Sequence, residues 1–589
     1  MVAVKLQNFG GMIPAVDPHL LPPNSASHCV DAWVNSGALE GFRELELVYT
    51  PVSISTRRTF RIPIDKVDSA RIPNSYWLEF DTQNVSVIEA PTTGDQFERF
   101  YWASDTDIPR YNTKARIAAG DPALTLGIPG PGTAPGVIVT GGSAPVESRA
   151  YVYTFVSVYG EEGPPSLPTL VNGFTDGSWD ITLTAPTVDE SAGRLLDKVR
   201  IYRTVSGVGG ETDYFFVHEQ DIGITTYSDT ILSVTNNRLL ESLFWTSPPA
   251  GLEGFVTMPN GIIAAWQDNE VWFCEPYHPH AWPVLYQVSV ESKVIGCGVI
   301  GQSLIVCTEG APFAISGINP AAMAISRLST FEPCMSRGSI VSTPAGVAYA
   351  SPSGLVLANP GAALSMTRQM LSKEQWGDLL YLPTLFGTTF NGGYYCFGTV
   401  DNGCFTASTF DPDSFVFDDY TGSYNGAFID INDMRVAYSN LSSPVPVRSI
   451  YTDFWTGEVF IHRDDGVYWL NQSANRTRGA YTWRSKTLET PNRRNFEAMR
   501  VYFTCLNCTP ELNPVQNTDL IQTLQNDQRG LIRVYADGVL RFTRELRESG
   551  EFFRLPSGFK ATFWQIEIEA RVRVDSVEIA STARELGSV

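Results

Sequence analysis

Three short segments gather the residue types from which metal, redox or acid–base sites are made. Cys505 and Cys508 form a CxxC pair. A structural zinc ion takes four ligands, usually from two such pairs, and a redox CxxC sits in a βαβ unit. Neither a second pair nor that setting accompanies this one. His278 and His280 lie beside Glu275 in EPYHPHAW, and two imidazoles with a carboxylate can hold a divalent ion. Pro276, Pro279 and Pro283 make the segment an irregular loop. No further anchored ligand is identifiable, so packing or hydrogen bonding is the plainer role for both histidines. DPDSFVFDDY carries Asp411, Asp413, Asp418 and Asp419 without the spacing and central glycine of an EF-hand loop, and it reads as a solvated turn. No metal and no cofactor are expected.

Catalytic signatures are missing as well. The chain has no G-x-S-x-G elbow, no H-E-x-x-H and no phosphate-binding P-loop, and no S-x-D-x-G-x-x-W box of the sialidases. Glycoside hydrolysis needs two carboxylates across the substrate, a pair that an all-β sequence does not disclose. Trp266, Trp272 and Trp282 would be the aromatic platforms of a carbohydrate site, although their places in strands and a nearby loop suit core packing better. Two basic clusters remain: Arg57, Arg58, Arg61 and Lys66, then Arg493, Arg494 and Arg500. They are candidate docking patches for an acidic neighbour, with a solvated face as the plainer reading. No enzymatic activity is expected.

The elements that position these residues are strands. The 589 residues include 49 Gly and 38 Pro, with 43% hydrophobic and 12% aromatic residues, a mixture that favours strands joined by tight turns. The length exceeds one hydrophobic core and predicts two to four domains. Acidic residues number 63 against 42 basic, a net charge of −21, and such a field repels phosphate. It disfavours a nucleic-acid grip and suits a channel wall to which a passing polyanion does not adhere. MVAVKLQNFGG lacks the charged and apolar regions of a signal peptide. No apolar run approaches the roughly 20 residues that span a bilayer. The nine cysteines are therefore expected to be reduced and packed.

Four ranges emerge. Residues 1–145 mix short strands with Pro- and Gly-rich loops, ending in LTLGIPGPGTAPG, and read as a β-rich platform segment that could complete a propeller. Residues 146–249 read as a small sandwich, from AYVYTFVSV through YGEEGPPS, KVRIYRTVSG and TTYSDT, at the strand spacing of a fibronectin III or immunoglobulin-like domain. Residues 250–487 repeat a turn–strand–turn–strand unit: GIIAAW with DNEVWFC, GQSLIVCT with EGAPFAIS, AGVAYAS with PSGLVLA, GGYYCFGT with DNGCFTAS, and TGEVFIH with RDDGVYWL. The turn glycines 261, 301, 346, 393 and 457 are 40, 45, 47 and 64 residues apart, close to the blade length of a β-propeller except at the last. Residues 488–589 return to long strands as a C-terminal β platform or interface domain. IRVYADGVLRF there predicts a hairpin at Asp537-Gly538. WQIEIEARVRV alternates, predicting a buried face of Trp564, Ile566, Ile568, Ala570, Val572 and Val574 and a wet face that includes Glu567.

The N-terminal stretch KLQNFGGMIPAVDPHLLPPNSASHCVDAWVNSGALEGFR resembles the opening of the nozzle, or tail tubular, proteins of short-tailed bacteriophages. The similarity continues in PRYNT, LTLGIPGP, YGEEGPPS, GVAYASPSGLVL and YTWRSKTLETP, and in the tail FFRLPSGFKATFWQIEIEARVRVDSVEIASTARELGSV. The pieces span most of the chain in the expected order, with residues 401–447 and 509–528 unmatched. The resemblance implies a virion protein at the distal end of the tail, assembled in the host bacterial cytoplasm. It implies a homo-hexameric ring that docks to the tail adaptor, supports a fibre or spike protein and helps retain and release the genome. Double-stranded DNA would pass through without specific binding, and the chain would not insert into a membrane by itself. Six copies would carry six times −21, or −126. The alternative is a carbohydrate-binding or carbohydrate-degrading propeller of the tail.

Overall fold

The computed structural model describes residues 3–34, 37–64, 75–206, 212–232, 238–398, 409–411, 416–418, 424–430, 438–443, 445–453, 455–471, 477–504 and 530–586. The protein is all-β, built of many mostly small sheets whose strand pairs are antiparallel apart from Ala26–Val30 with Tyr438–Ser442. Among the described residues the α-helices are short, such as Lys114–Ala119, Val188–Arg194 and Lys373–Leu379, and none is long and apolar enough to cross a membrane. The chain divides into two compact units, Asn84–Ser329 on one side and Met1–Gln83 with Thr330–Val589 on the other.

In the unit of residues 84–329, three four-stranded sheets follow one another. The first holds Val85–Glu89, Arg99–Ser104, Arg110–Thr113 and Leu124–Thr125; the second Gly254–Met258, Ile262–Gln267, Glu270–Phe273 and Gln287–Ser289; the third Val294–Ile300, Ser303–Thr308, Phe313–Ser316 and Ala324–Arg327. The strand IIAAWQ explains their stacking. Strand alternation sends successive side chains to opposite faces, and here both faces are covered. Ile262, Ala264 and Trp266 pack with Val294, Leu304 and Val306 of the third sheet. Ile263 and Ala265 pack with Ile88, Tyr101 and Tyr111 of the first.

Between the first two sheets in sequence lies a two-sheet sandwich. Gly136–Thr140, Ser178–Thr182 and Thr226–Asp229 face a four-stranded sheet ordered Thr169–Phe174, Val146–Ser157, Leu196–Ser206, Thr212–Asp221. Tyr151, Tyr153, Phe155, Trp179, Ile181 and Ile201 fill the space between them. The sandwich begins at Gly136 rather than at the expected residue 146, because Val137 and Val139 of that first strand alternate onto its core.

In the other unit, Gly346–Ser351 and Gly354–Asn359 form the centre of a four-stranded sheet. Val447–Thr452, Val459–Arg463 and Gly466–Trp469 form another, whose fourth strand is Glu46–Tyr49. Strand Gly393–Phe397 is again buried on both faces, with Tyr394 and Cys396 in one core and Tyr395 and Phe397 in another. It belongs to a larger sheet that runs on through Ala26–Val30, Tyr481–Ser485, Ala561–Ala570 and Gly530–Ala536. Ala3–Leu6 pairs with Arg573–Ala580 in a separate four-stranded sheet. The two chain ends therefore share sheets and one core, from Leu6 and Cys29 to Trp564, Ile566 and Ile579.

Two expected boundaries move. Residues 1–145 are not one segment, since the chain changes unit between Gln83 and Asn84. The 250–487 range is divided between Ser329 and Thr330, because residues such as Leu355 and Trp376 pack into the core shared by the chain ends. Four of the five repeat hairpins are present: Ile262–Gln267 with Glu270–Phe273, Ser303–Thr308 with Phe313–Ser316, Gly346–Ser351 with Gly354–Asn359, and Val459–Arg463 with Gly466–Trp469. In the remaining unit DNGCFTAS lies outside the described residues. The Asp537-Gly538 hairpin forms as expected, with both residues at positive φ, 49° and 74°.

Candidate functional site

Arg58 and Arg61 of the first basic cluster do not form a surface patch. Arg61 lies in the strand Arg58–Pro63, and its guanidinium is fully buried against Asp453 at 3.0 Å, with both side chains 0% exposed. Its Nε donates to Ser75 Oγ at 2.7 Å. Arg58 lies over the rings of Phe60 and Phe386 and donates to the Gln83 carbonyl at 3.0 Å. Burial and the neighbouring Arg337 push its pKa down to about 9. The two side chains leave opposite faces of this regularly paired strand, and their engagement on both sides, Arg61 fully buried and Arg58 half-buried, corrects their assignment as docking residues. Arg57 is exposed, and Lys66 lies outside the described residues.

The second cluster is divided too. Arg493 is 69% exposed, 3.3 Å from Asp537. Arg494 is half-buried, its backbone paired with Ala561. Arg500 sits 3.4 Å from Glu578 and donates to the Leu586 carbonyl at 2.8 Å, so its charge is already engaged. Of the seven basic candidates, Arg57 and Arg493 are the exposed ones among the described residues.

The face expected to be wet on the long C-terminal strand is partly covered. Glu567 is 1% exposed, bonded to Arg484 Nε at 2.7 Å and Arg533 Nη1 at 2.6 Å from the strands on either side. Arg533 also reaches Glu569 at 2.7 Å. Glu40 pairs with Arg573 at 3.0 Å and with Arg478, and Glu578 with Lys5 at 3.2 Å. Burial alone would raise the Glu567 carboxyl, but the Arg484 charge and the Arg533 hydrogen bonds outweigh it and hold the group below the usual carboxylate range. These charges neutralise one another within the chain.

A different arrangement surrounds the EPYHPHAW loop. Tyr277 takes positive φ, 63°, and its N–H donates to the Gly261 carbonyl at 2.9 Å. The His278 and Ala281 amides donate to Glu275 and His278 carbonyls at 2.9 Å. The resulting tight turns bring His278 and His280 within 5.7 Å of each other. The segment 238–245 crosses beside them, with a single 3-10 turn at Glu241–Phe244, and sets the Trp245 ring 4.7 Å from His278 and 5.5 Å from His280. The YGEEG turn of the sandwich closes the third side through Gly160 and Glu162. Together with Arg200 and Arg238 these residues line an open cleft of about 100 Å³.

Its polar groups are unevenly satisfied. Glu162 accepts from Tyr202 at 2.7 Å, Thr154 at 2.6 Å and Arg200 at 2.6 Å. Glu161, one residue earlier, is buried and takes Arg99 at 2.6 Å; burial raises its pKa despite that charge. His280 is 5% exposed, and neither ring nitrogen makes a hydrogen bond of ordinary geometry. Its nearest polar neighbours are the Glu161 carboxylate, 3.8 Å away, and the Glu162 backbone. Burial, then the His278 and Arg99 charges, push its pKa down to about 3, so it is neutral at ordinary pH. Ser242 is 1% exposed and its hydroxyl is likewise unpaired.

Among the described residues no three His, Cys, Asp or Glu side chains gather as a metal site. Cys505, Cys508, Asp413 and Asp419 lie outside them. Trp266 and Trp282 are core residues, and Trp272 is half-buried with its indole donating to Glu270 at 3.1 Å. Two of the three expected carbohydrate platforms are therefore closed. Trp245, Ser242 and Arg238 escaped the sequence reading, since the segment 238–245 carries no periodic signal.

No protein-family model matches the chain, and no curated protein does. Among solved structures, it is similar to Kluyvelomyces marxianus Hsv2 at 9% identity, over 52% of this chain and 90% of that one, with a TM-score of 0.24. It is also similar to AztD from Citrobacter koseri at 10% identity, over 55% and 77%, with a TM-score of 0.23. The structure of BBS1N in complex with ARL6DN gives 10% identity over 47% and 89%, with a TM-score of 0.24. Likeness at this level carries no argument about function.

Proposed function

We propose that the chain is a structural subunit of the tail nozzle of a short-tailed bacteriophage, one of six copies around a conduit for DNA. The observation that supports this reading is where the family-like segments meet. Ala3–Leu6, beside the KLQNFGG motif, pairs with Arg573–Ala580 in the C-terminal motif. Ala26–Val30 pairs with Tyr481–Ser485 of YTWRSKTLETP, which pairs in turn with Ala561–Ala570. Segments hundreds of residues apart that resemble one family pair in two sheets over one shared core, an arrangement that suits a ring platform.

In this reading the stacked four-stranded sheets are β-propeller blades, and the four-plus-three sandwich is a fibronectin III or immunoglobulin-like insertion. The protein acts by shape and is no enzyme. It docks to the tail adaptor, supports fibres or spikes and lets double-stranded DNA pass an acidic lumen. Arg57 and Arg493 are the exposed basic residues left to meet an acidic partner. Native mass measurement on the purified chain, alone and with tail adaptor, tests the reading. Six times 64.8 kDa, about 389 kDa for the ring, supports it; a monomer under both conditions contradicts it.

A further inference from the structure

The sandwich turn of residues 157–163 docks onto the first sheet of its unit and onto the EPYHPHAW loop. Three kinds of contact hold it there. Tyr159 meets Phe97 at 4.8 Å and Tyr111 at 6.2 Å between ring centroids. With neighbouring Leu195 it is only partly buried against the core of Tyr101, Tyr111 and Trp282. Arg99 pairs with Glu161 at 2.6 Å, and His280 lies 3.8 Å from the same carboxylate.

Little of this favours the docked state. A buried ion pair surrenders the hydration of both charges and contributes little net stability. Around it, five buried polar atoms have no hydrogen-bond partner: the hydroxyls of Tyr101, Tyr111 and Ser242 and both ring nitrogens of His280. They are sealed from solvent, and each raises the free energy of the docked state by its lost hydration. Undocking the turn gives water access to them. The bodies on either side have cores of their own. The sandwich closes on Tyr151, Phe155, Ile181 and Ile201, and the strand Ile262–Gln267 is packed on both faces.

We propose that the 157–163 turn is a latch, which undocks from Arg99 and His280 while the sandwich and the sheets stay folded. The inference does not rest on the ring assembly: a hexamer whose latch never opens overturns the latch alone. Diethyl pyrocarbonate, which modifies neutral imidazole, is applied at pH 7 to the full-length protein, and mass spectrometry follows each histidine, with exposed His19 as reference. His280 and His462 are 5% and 3% exposed, so burial alone gives them equal protection. His462 sits in Val459–Arg463, paired on both sides, and meets solvent only when strands separate. The expected result is modification of His280 at least about tenfold faster than of His462. The Tyr101→Phe/Tyr111→Phe double variant removes two unpaired hydroxyls and keeps both rings. It should slow His280 about fivefold or more, and each single variant should shift the rate the same way. Unchanged protection of His462 verifies that the variants are folded. Two results overturn the proposal: His280 reacts less than about tenfold faster than His462, or removing the hydroxyls leaves its rate unchanged or raises it.

Discussion

In the unit formed by residues 1–83 and 330–589, two buried charges are closely paired. Arg61 meets Asp453, and Glu567 lies between Arg484 and Arg533. In the cleft of residues 84–329, Ser242 and His280 are buried and unmatched. The first arrangement fixes strands to one another. The second buries hydrogen-bonding groups that no protein group satisfies.

The largest expected effect breaks the matched side. Asp453→Ala strands the Arg61 guanidinium without a counter-charge and is expected to cost about 3–5 kcal/mol, read as a fall in the denaturant midpoint of the full chain. A loss under about 1 kcal/mol would mean that water reaches Arg61. Glu567→Gln removes one charge from between two partly exposed arginines and is expected to cost about 2–3 kcal/mol. Because the folded carboxyl is held below its unfolded value, that stability is present above about pH 4.3 and lost as pH falls through the folded value. The variant should accordingly show a shallower acid transition.

On the unmatched side the sign of the pH effect is the same and the window opens at higher pH. The folded imidazole of His280 titrates at about 3 against an ordinary value of 6.5, so the unfolded chain takes up its proton first. Stability is full above pH 6.5 and falls toward pH 3, with a slope approaching about 1.4 kcal/mol per pH unit. His462, buried and pushed down to about 4, adds a parallel slope in the other unit. The difference between wild type and His280→Asn in urea melts from pH 7 to 4 isolates the cleft. Equal slopes would contradict the buried neutral imidazole.

The smallest effects sharpen the contrast. Ser242→Ala removes a hydroxyl that has no protein partner, so its stability change should stay within about 0.5 kcal/mol. Arg57→Ala and Arg493→Ala should also stay within about 0.5 kcal/mol, while slowing association with an acidic tail partner at low salt. Stopped-flow association against ionic strength checks the latter.

Local signals made much of the architecture legible. The repeat hairpins follow turn glycines and alternating apolar residues, and Asp537-Gly538 specifies its own turn. The outer strands of each sheet were harder to read. Glu46–Tyr49 completes a sheet whose other strands begin at Val447, and nothing near residue 46 announces that partner. Arg61 looked like one of a basic run because Asp453 is 392 residues away in sequence. Glu567 obeyed the alternation of its strand, yet arginines from two neighbouring strands cover it. The histidines of EPYHPHAW were visible, but Ser242 and Trp245 join them only through the fold.

The central claim is tested most directly by electron microscopy of the assembled protein with its tail adaptor. The account predicts a sixfold ring with an axial channel, a net acidic lumen and the paired chain ends in each subunit's platform. A monomer without a channel, or a lumen lined mainly by lysine and arginine, would contradict it.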